Sequence, residues 1–241
     1  TGDVVSCTTE DLKNDALAGI GLLREKFDHV GVLGHSEGGS IALMLAAEGK
    51  ADFVISLAGM VASGSETLLD QNRRALQTTG MHESEINNYC RFLADAYAAV
   101  VNDMPLPSPD NYCLPAGLKQ NASMLSTSLK TPYMKYFLRM NVSDILGSVK
   151  CPVMALNGTK DTQVDCDRNL SLLRQGLSGG YTFADESSVN VVKAEIGLNH
   201  LFQHCRTGEV SEYKEIEETF SPEVLTEMIT WLHLRLSQNS F

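Results

Sequence analysis

Apolar positions along the chain switch between two periods. Leu12, Ala16, Ile20 and Leu23 recur at helical spacing as far as about Lys26. Thr8 or Thr9 stands in front as N-cap, with Glu10 and Asp11 in the first turn. A continuous apolar run then predicts a strand over 29–34, an Ala/Leu-rich stretch a helix over 38–48, and Asp52-Phe53-Val54-Ile55-Ser56-Leu57 a second strand. Neither strand alternates apolar with polar, which is the pattern of parallel strands covered on both faces. The order helix, strand, helix, strand predicts a doubly wound, mostly parallel α/β sheet.

After Gly59 the pattern changes. Residues 63–149 show no strand signal. Helices are expected over 67–79 and over 83–101, the second with Ile86, Tyr89, Cys90, Leu93, Tyr97 and Val100 on one face. A loop with Pro105, Pro107, Pro109 and Pro115 leads to further helices near 119–129 and 132–140. The alternation resumes with a strand over 152–157, a helix carrying Val164, Leu170, Leu172 and Leu173, and a last strand over 189–196. A closing helix starts with Ser221 as N-cap and Pro222 in its first turn. The expected organisation is an α/β core from 1–62 and 150–241, with a helical lid over the strand ends from 63–149.

Candidate chemistry lies at the strand ends. Gly34-His35-Ser36-Glu37-Gly38, with Gly39 behind it, reads G-x-S-x-G between an apolar strand and an Ala/Leu-rich helix. In that setting the pattern predicts a nucleophile elbow: a sharp turn that lifts the Ser36 hydroxyl clear of the sheet, with glycines on both sides where a Cβ would clash. The amides at the start of the following helix are placed to hold negative charge, and the Glu37 backbone N–H is the expected oxyanion donor. A serine nucleophile needs a base, and the base needs an acid. Asp161 follows one strand in Asn157-Gly158-Thr159-Lys160-Asp161, and His200 follows the next in Gly197-Leu198-Asn199-His200. The order Ser36, Asp161, His200, each after its own strand, is that of a hydrolytic triad. Asp165 and Asp167 compete with Asp161 but fall on the next helix, and His204 competes with His200 but lies further from its strand. His35, beside the nucleophile, is expected to pack or hydrogen-bond rather than catalyse. His200, His204 and Cys205 have no carboxylate or cysteine cluster near them in sequence, so no metal site is expected.

Taken together, Gly34-His35-Ser36-Glu37-Gly38-Gly39, Asn157-Gly158 with Asp161-Thr162-Gln163-Val164, and Leu198-Asn199-His200-Leu201-Phe202-Gln203 resemble the α/β-hydrolase superfamily. The likeness is nearest to bacterial esterases grouped with serine aminopeptidase and prolyl oligopeptidase-like hydrolases, and Thr131-Pro132-Tyr133-Met134-Lys135-Tyr136-Phe137 fits the same group. The resemblance implies Ser36 as nucleophile, His200 as base, Asp161 as acid and the Glu37 amide in the oxyanion hole. It does not fix the substrate; short acyl esters are expected because no basic cluster suggests a coenzyme A or phosphate site, with peptidase, thioesterase and non-catalytic binding roles left open. Such enzymes place several strands before the elbow, whereas here one helix and no clear strand precede Ser36. Thr1-Gly2 resembles the end of a Ser-Thr-Gly segment from that region. The front of the sheet is therefore expected to be missing, and its edge to be covered by an N-terminal segment or by a second copy in a homo-oligomer.

Composition narrows the partners. The chain has 241 residues, of which 43% are apolar and 20% charged, enough for a packed core. Acidic residues outnumber basic ones 30 to 19, and no Lys/Arg run offsets the formal charge of −11, which argues against nucleic acid or anionic membrane as a partner. No stretch is long and apolar enough for a membrane span, no signal peptide is visible, and no cofactor motif is present. The compartment stays open between the cytoplasm and the periplasm or exterior of a bacterium. The six cysteines show no paired spacing and are expected to be mostly buried free thiols.

Overall fold

The computed structural model describes residues 6–177 and 189–237. Two compact units are present. Among the described residues, one comprises Ser63–Met140 with the residues up to Asp11, and the other Leu12–Ala62 with the residues from Asn141 onward.

The second unit is built on a sheet. Four strands, β1 (Val32–His35), β2 (Val54–Leu57), β3 (Val153–Gly158) and β4 (Val191–Glu195), lie side by side in chain order, and every pairing is parallel. The register aligns Val32 with Val54, Val54 with Val153, and Met154 with Val191. All residues of β2 and β3 are buried, as their unbroken apolar runs require. β1 forms one edge of the described sheet, and its Leu33 is 54% exposed.

Helices cover both faces. α1 (Thr9–Arg24) and α2 (Glu37–Ala47) pack together through Ile20, Ile41 and Leu45 with Val30 and Val32. α7 (Cys166–Gly176), between β3 and β4, buries Leu170 and Leu173. On the opposite face α8 (Pro222–Ser237) sets Val224, Met228 and Trp231 against Ile55, Leu57, Met154, Leu156 and Val191. A doubly wound α/β sheet is therefore present. Before the elbow, the described residues hold α1 and no strand, and Thr1-Gly2 lies outside the described residues.

The other unit is helical between Ser63 and Met140: α3 (Gly64–Gln77), α4 (Glu83–Val101), α5 (Ala116–Ser128) and α6 (Pro132–Arg139). α4 supplies its core with Tyr89, Phe92, Leu93, Ala96, Tyr97 and Val100, joined by Leu118, Ala122, Leu129 and Leu138. α3 begins three residues before the expected position. The cause is a capping box: Ser63 Oγ accepts the Glu66 N–H while the Glu66 carboxylate accepts the Ser63 N–H. Thr8 and Asp11 make the same exchange at the start of α1. Val164 stands before α7 rather than in it, because Asp165 is the cap and accepts the Arg168 N–H.

All six cysteines are free thiols, but only Cys90 and Cys166 are buried, which corrects the expectation of mostly buried ones. Burial pushes the Cys166 thiol up to about 12 and Cys151 up to about 11. Iodoacetamide at pH 8 is therefore expected to label the exposed Cys113 in the native protein and Cys166 only after unfolding. Equal rates at both would contradict this placement. Trp231 is fully buried in the layer between α8 and the sheet. Replacing it with alanine is expected to cost about 3–5 kcal/mol in urea unfolding, whereas a loss within error would show that this layer is not tightly packed.

Candidate active site

Parallel strands place their C-terminal ends along one side of the sheet, and the three candidate residues follow three such ends. Ser36 comes directly after β1, Asp161 three residues after β3 and His200 five residues after β4.

The turn at Ser36 is strained. Its φ of 55° and ψ of −122° lie in a region that side-chain-bearing residues rarely adopt, at a cost of roughly 1–3 kcal/mol. The Ser36 N–H donates to the Leu57 carbonyl of β2, and its own carbonyl accepts from the Gly39 and Ser40 N–H groups as α2 begins. A Cβ on Gly34 would lie 1.9 Å from the Gly38 carbonyl oxygen, and one on Gly39 would lie 2.7 Å from Gly59 Cα. Gly38 is different: a Cβ there meets nothing within 4 Å beyond its own turn. Clashes therefore arise on both sides of Ser36, at Gly34 and at Gly39, but not at Gly38. Glycine is needed at Gly34 and Gly39, where backbones meet, and not at Gly38, which points into open space. Glu37 is the first residue of α2, at the positive end of the helix.

Asp161 is buried, and its carboxylate is saturated with donors. Oδ1 accepts the N–H groups of Gln163 (2.8 Å) and Val164 (2.9 Å), and Oδ2 accepts Asn157 Nδ2 (3.0 Å). The His200 Nδ1 lies 2.8 Å from the same Oδ2. With both oxygens accepting, Nδ1 must carry the proton toward Asp161, which leaves Nε2 as the basic atom of a neutral His200. Asp165, the competitor, caps α7 instead.

His200 is 4% exposed and rides on a turn organised by Asn199. Asn199 Oδ1 accepts the N–H groups of Leu201 and Gln203, and its Nδ2 donates to Gln203 Oε1. Phe202 adopts a positive φ of 59°, stacks on Phe220 at 5.4 Å, and takes the Ser221 N–H on its carbonyl. The acid and histidine loops are also bonded to each other. The Lys160 N–H donates to Leu198 O, the Gly197 N–H to Thr159 Oγ1, and Lys160 Nζ to the carbonyls of Cys205 and Arg206. Among the described residues no hydrogen bond joins Ser36 Oγ to His200. The serine and histidine turns are linked instead through His35, whose ring centroid is 4.6 Å from that of His200.

His204 is not isolated from carboxylates, contrary to the reading of the sequence. Ligand atoms of His204, Glu218 and Glu223 lie within 4.8 Å of one another, the two acids arriving from the approach to α8 and its first turn. Hydrogen bonds already use these groups: Glu218 accepts the His204 N–H, and Glu223 accepts Ser221 Oγ–H. Asn157, Asn199, Gln203 and Lys160 were given no role from the sequence. A polar residue at the buried end of an apolar strand was the available signal for Asn157.

The elbow geometry generates a test that needs no substrate. Gly34→Ala should lower unfolding stability by at least about 3 kcal/mol, since backbone must move. Gly38→Ala should be neutral or slightly stabilising in the same denaturation assay. A Gly34→Ala protein as stable as the original would contradict the turn described here.

No known family model matches the chain, and no curated protein matches its sequence. Solved structures do match its fold. The Pyrococcus furiosus esterase Pf2001 is 15% identical with a TM-score of 0.50 over 96% of this chain, which spans 65% of that esterase's length. One solved structure from work on the metagenome-derived lipolytic enzymes LipS and LipT gives 14% identity and a TM-score of 0.48, covering 96% of this chain and 75% of that one. Proline iminopeptidase of Mycobacterium smegmatis gives 12% and 0.46, covering 95% and 72%. With its parallel sheet wound on both faces and a strained serine turn after β1, the chain has the α/β-hydrolase fold.

Proposed function

We propose that the protein is a serine hydrolase that cleaves small carboxylic esters through an acyl-enzyme, with Ser36 as nucleophile, His200 as base and Asp161 as the acid that orients it. The observation that carries the reading is the pairing of His200 Nδ1 with Asp161 beyond the C-terminal ends of β4 and β3, while Ser36 sits in a strained turn beyond the C-terminal end of β1. Strain held at a nucleophile elbow by surrounding backbone is characteristic of a functional site. In the proposed reaction Ser36 Oγ bonds to the ester carbonyl carbon as its proton passes to His200 Nε2. The tetrahedral oxyanion is held by the Glu37 N–H at the start of α2. The ester C–O bond then breaks, and the alcohol leaves with the proton from Nε2. Water attacks the acyl group and gives one proton to Nε2, and that proton returns to Ser36 Oγ as the acid departs.

The same three residues would serve thioesters and peptides, so specificity rests elsewhere. We assign acyl preference to the helical unit inserted between β2 and β3, in the role of a lid. Short esters fit best because the acidic chain has no basic cluster in its sequence to hold a coenzyme or phosphate group. A small molecule as substrate also agrees with the fold's relatives, among them the esterase Pf2001 and the lipolytic enzymes LipS and LipT.

Ser36→Ala should abolish hydrolysis of p-nitrophenyl acetate, a loss of at least about 10³-fold, and should also prevent labelling by a fluorophosphonate. Stoichiometric labelling of the original protein with no hydrolysis of esters would move the reading to a peptidase or thioesterase. Turnover unchanged by the substitution would remove Ser36 from the mechanism.

A further inference from the structure

We propose that His35 is a positioning residue: its Nε2–H donates to the main-chain carbonyl of His200 and so fixes the base relative to the nucleophile next to His35 in the chain. The inference rests on the hydrolase reading above and extends it to a residue that the triad does not include.

The distance from His35 Nε2 to His200 O is 2.7 Å. A carbonyl oxygen only accepts, so Nε2 must hold the proton and His35 must be the Nε2–H tautomer when neutral. The strand pairing explains how the ring gets there. His35 pairs with Leu57 at the last position of β1, on the face where Leu57, Leu156 and Phe202 form the core. The His35 ring meets Phe202 edge-on at 6.4 Å and leans on the His200 ring at 4.6 Å with a 52° tilt. Burial lowers the His35 pKa, and the nearby His200 opposes a second positive charge. His35 therefore favours the neutral form, able to donate from Nε2 without placing a cation against the base.

This contact differs in kind from the others around His200. Asp161 orients the ring through Nδ1, and Asn199 shapes the turn from within its own loop. The His35 bond ties the backbone of His200 to the strand that carries Ser36. The path from nucleophile to base is then one peptide link, one side chain and one hydrogen bond. Misplacement of reacting groups by about 1 Å can cost about 10²-fold in rate, so a tether this short acts directly on the chemical step.

Two substitutions separate a donor from mere filling of space. Phenylalanine keeps a ring and removes the donor. Glutamine removes the ring and puts an amide nitrogen where His Nε2 stood. With a short p-nitrophenyl ester and the full chain, His35→Phe should lower kcat by about tenfold with KM within about twofold, and His35→Gln should recover most of the loss. Unchanged kcat in His35→Phe, or equal losses in both variants, would overturn the proposal. Should either variant fail to fold, ¹⁵N NMR of the original protein decides: protonated Nε2 on neutral His35 supports the tether, and protonated Nδ1 overturns it. Hydrolysis that survives Ser36→Ala would instead defeat the underlying hydrolase reading, so the two failures are distinguishable.

Discussion

One buried carboxylate organises the candidate site. Asp161 is 2% exposed, and a carboxylate in that position is costly unless its oxygens find donors. Its partners include two backbone N–H groups of its own turn, the amide of Asn157 at the end of β3, and the Nδ1 of His200. The first two fix the turn and the third ties it to the sheet. The tautomer of His200 follows, because a carboxylate oxygen only accepts and Nδ1 must then carry the proton. Removing any donor would leave an under-satisfied buried acceptor, at a cost of about 1–3 kcal/mol for a buried polar group.

The parallel sheet supplies the other half of the geometry. Because β1, β3 and β4 all run the same way, three segments far apart in the chain emerge on one side without any further device. Helix α2 approaches β2 closely through Gly39 and Gly59, and the backbone at Gly34 meets that at Gly38. These close approaches hold Ser36 at positive φ. The histidine turn is strained at the corresponding place, Phe202, whose ring is locked between His35 and Phe220. Of the four non-glycine residues at positive φ among the described residues, Ser36 and Phe202 are in the two turns that carry the proposed nucleophile and base. The stacking layer beneath them, with Trp231 and Leu57, is the core that holds that strain.

Much of this was legible in the sequence, for identifiable reasons. Unbroken apolar runs announced buried parallel strands, and the Ser36, Asp161 and His200 segments were marked by following those runs. Helix starts were read less well where the cap is a side-chain exchange. Ser63 with Glu66 opens α3 earlier than its apolar pattern does, and Asp165 rather than Val164 marks the start of α7. The sequence also suggested steric need at Gly38, because a pattern of glycines does not say which one faces backbone and which faces open space. Contacts made across long sequence separations were invisible altogether. His204 meets Glu218 and Glu223 only once α8 has folded back, and His35 reaches a carbonyl 165 residues away. No local pattern encodes such a meeting.

The central claim is that Asp161 holds His200 with its proton on Nδ1, leaving Nε2 free to act. The most direct measurement is ¹⁵N NMR of the His200 ring in the neutral protein, assigned against a His200→Gln variant. A protonated Nδ1, an unprotonated Nε2, and loss of that preference in Asp161→Ala are expected. A neutral His200 with its proton on Nε2 would contradict it.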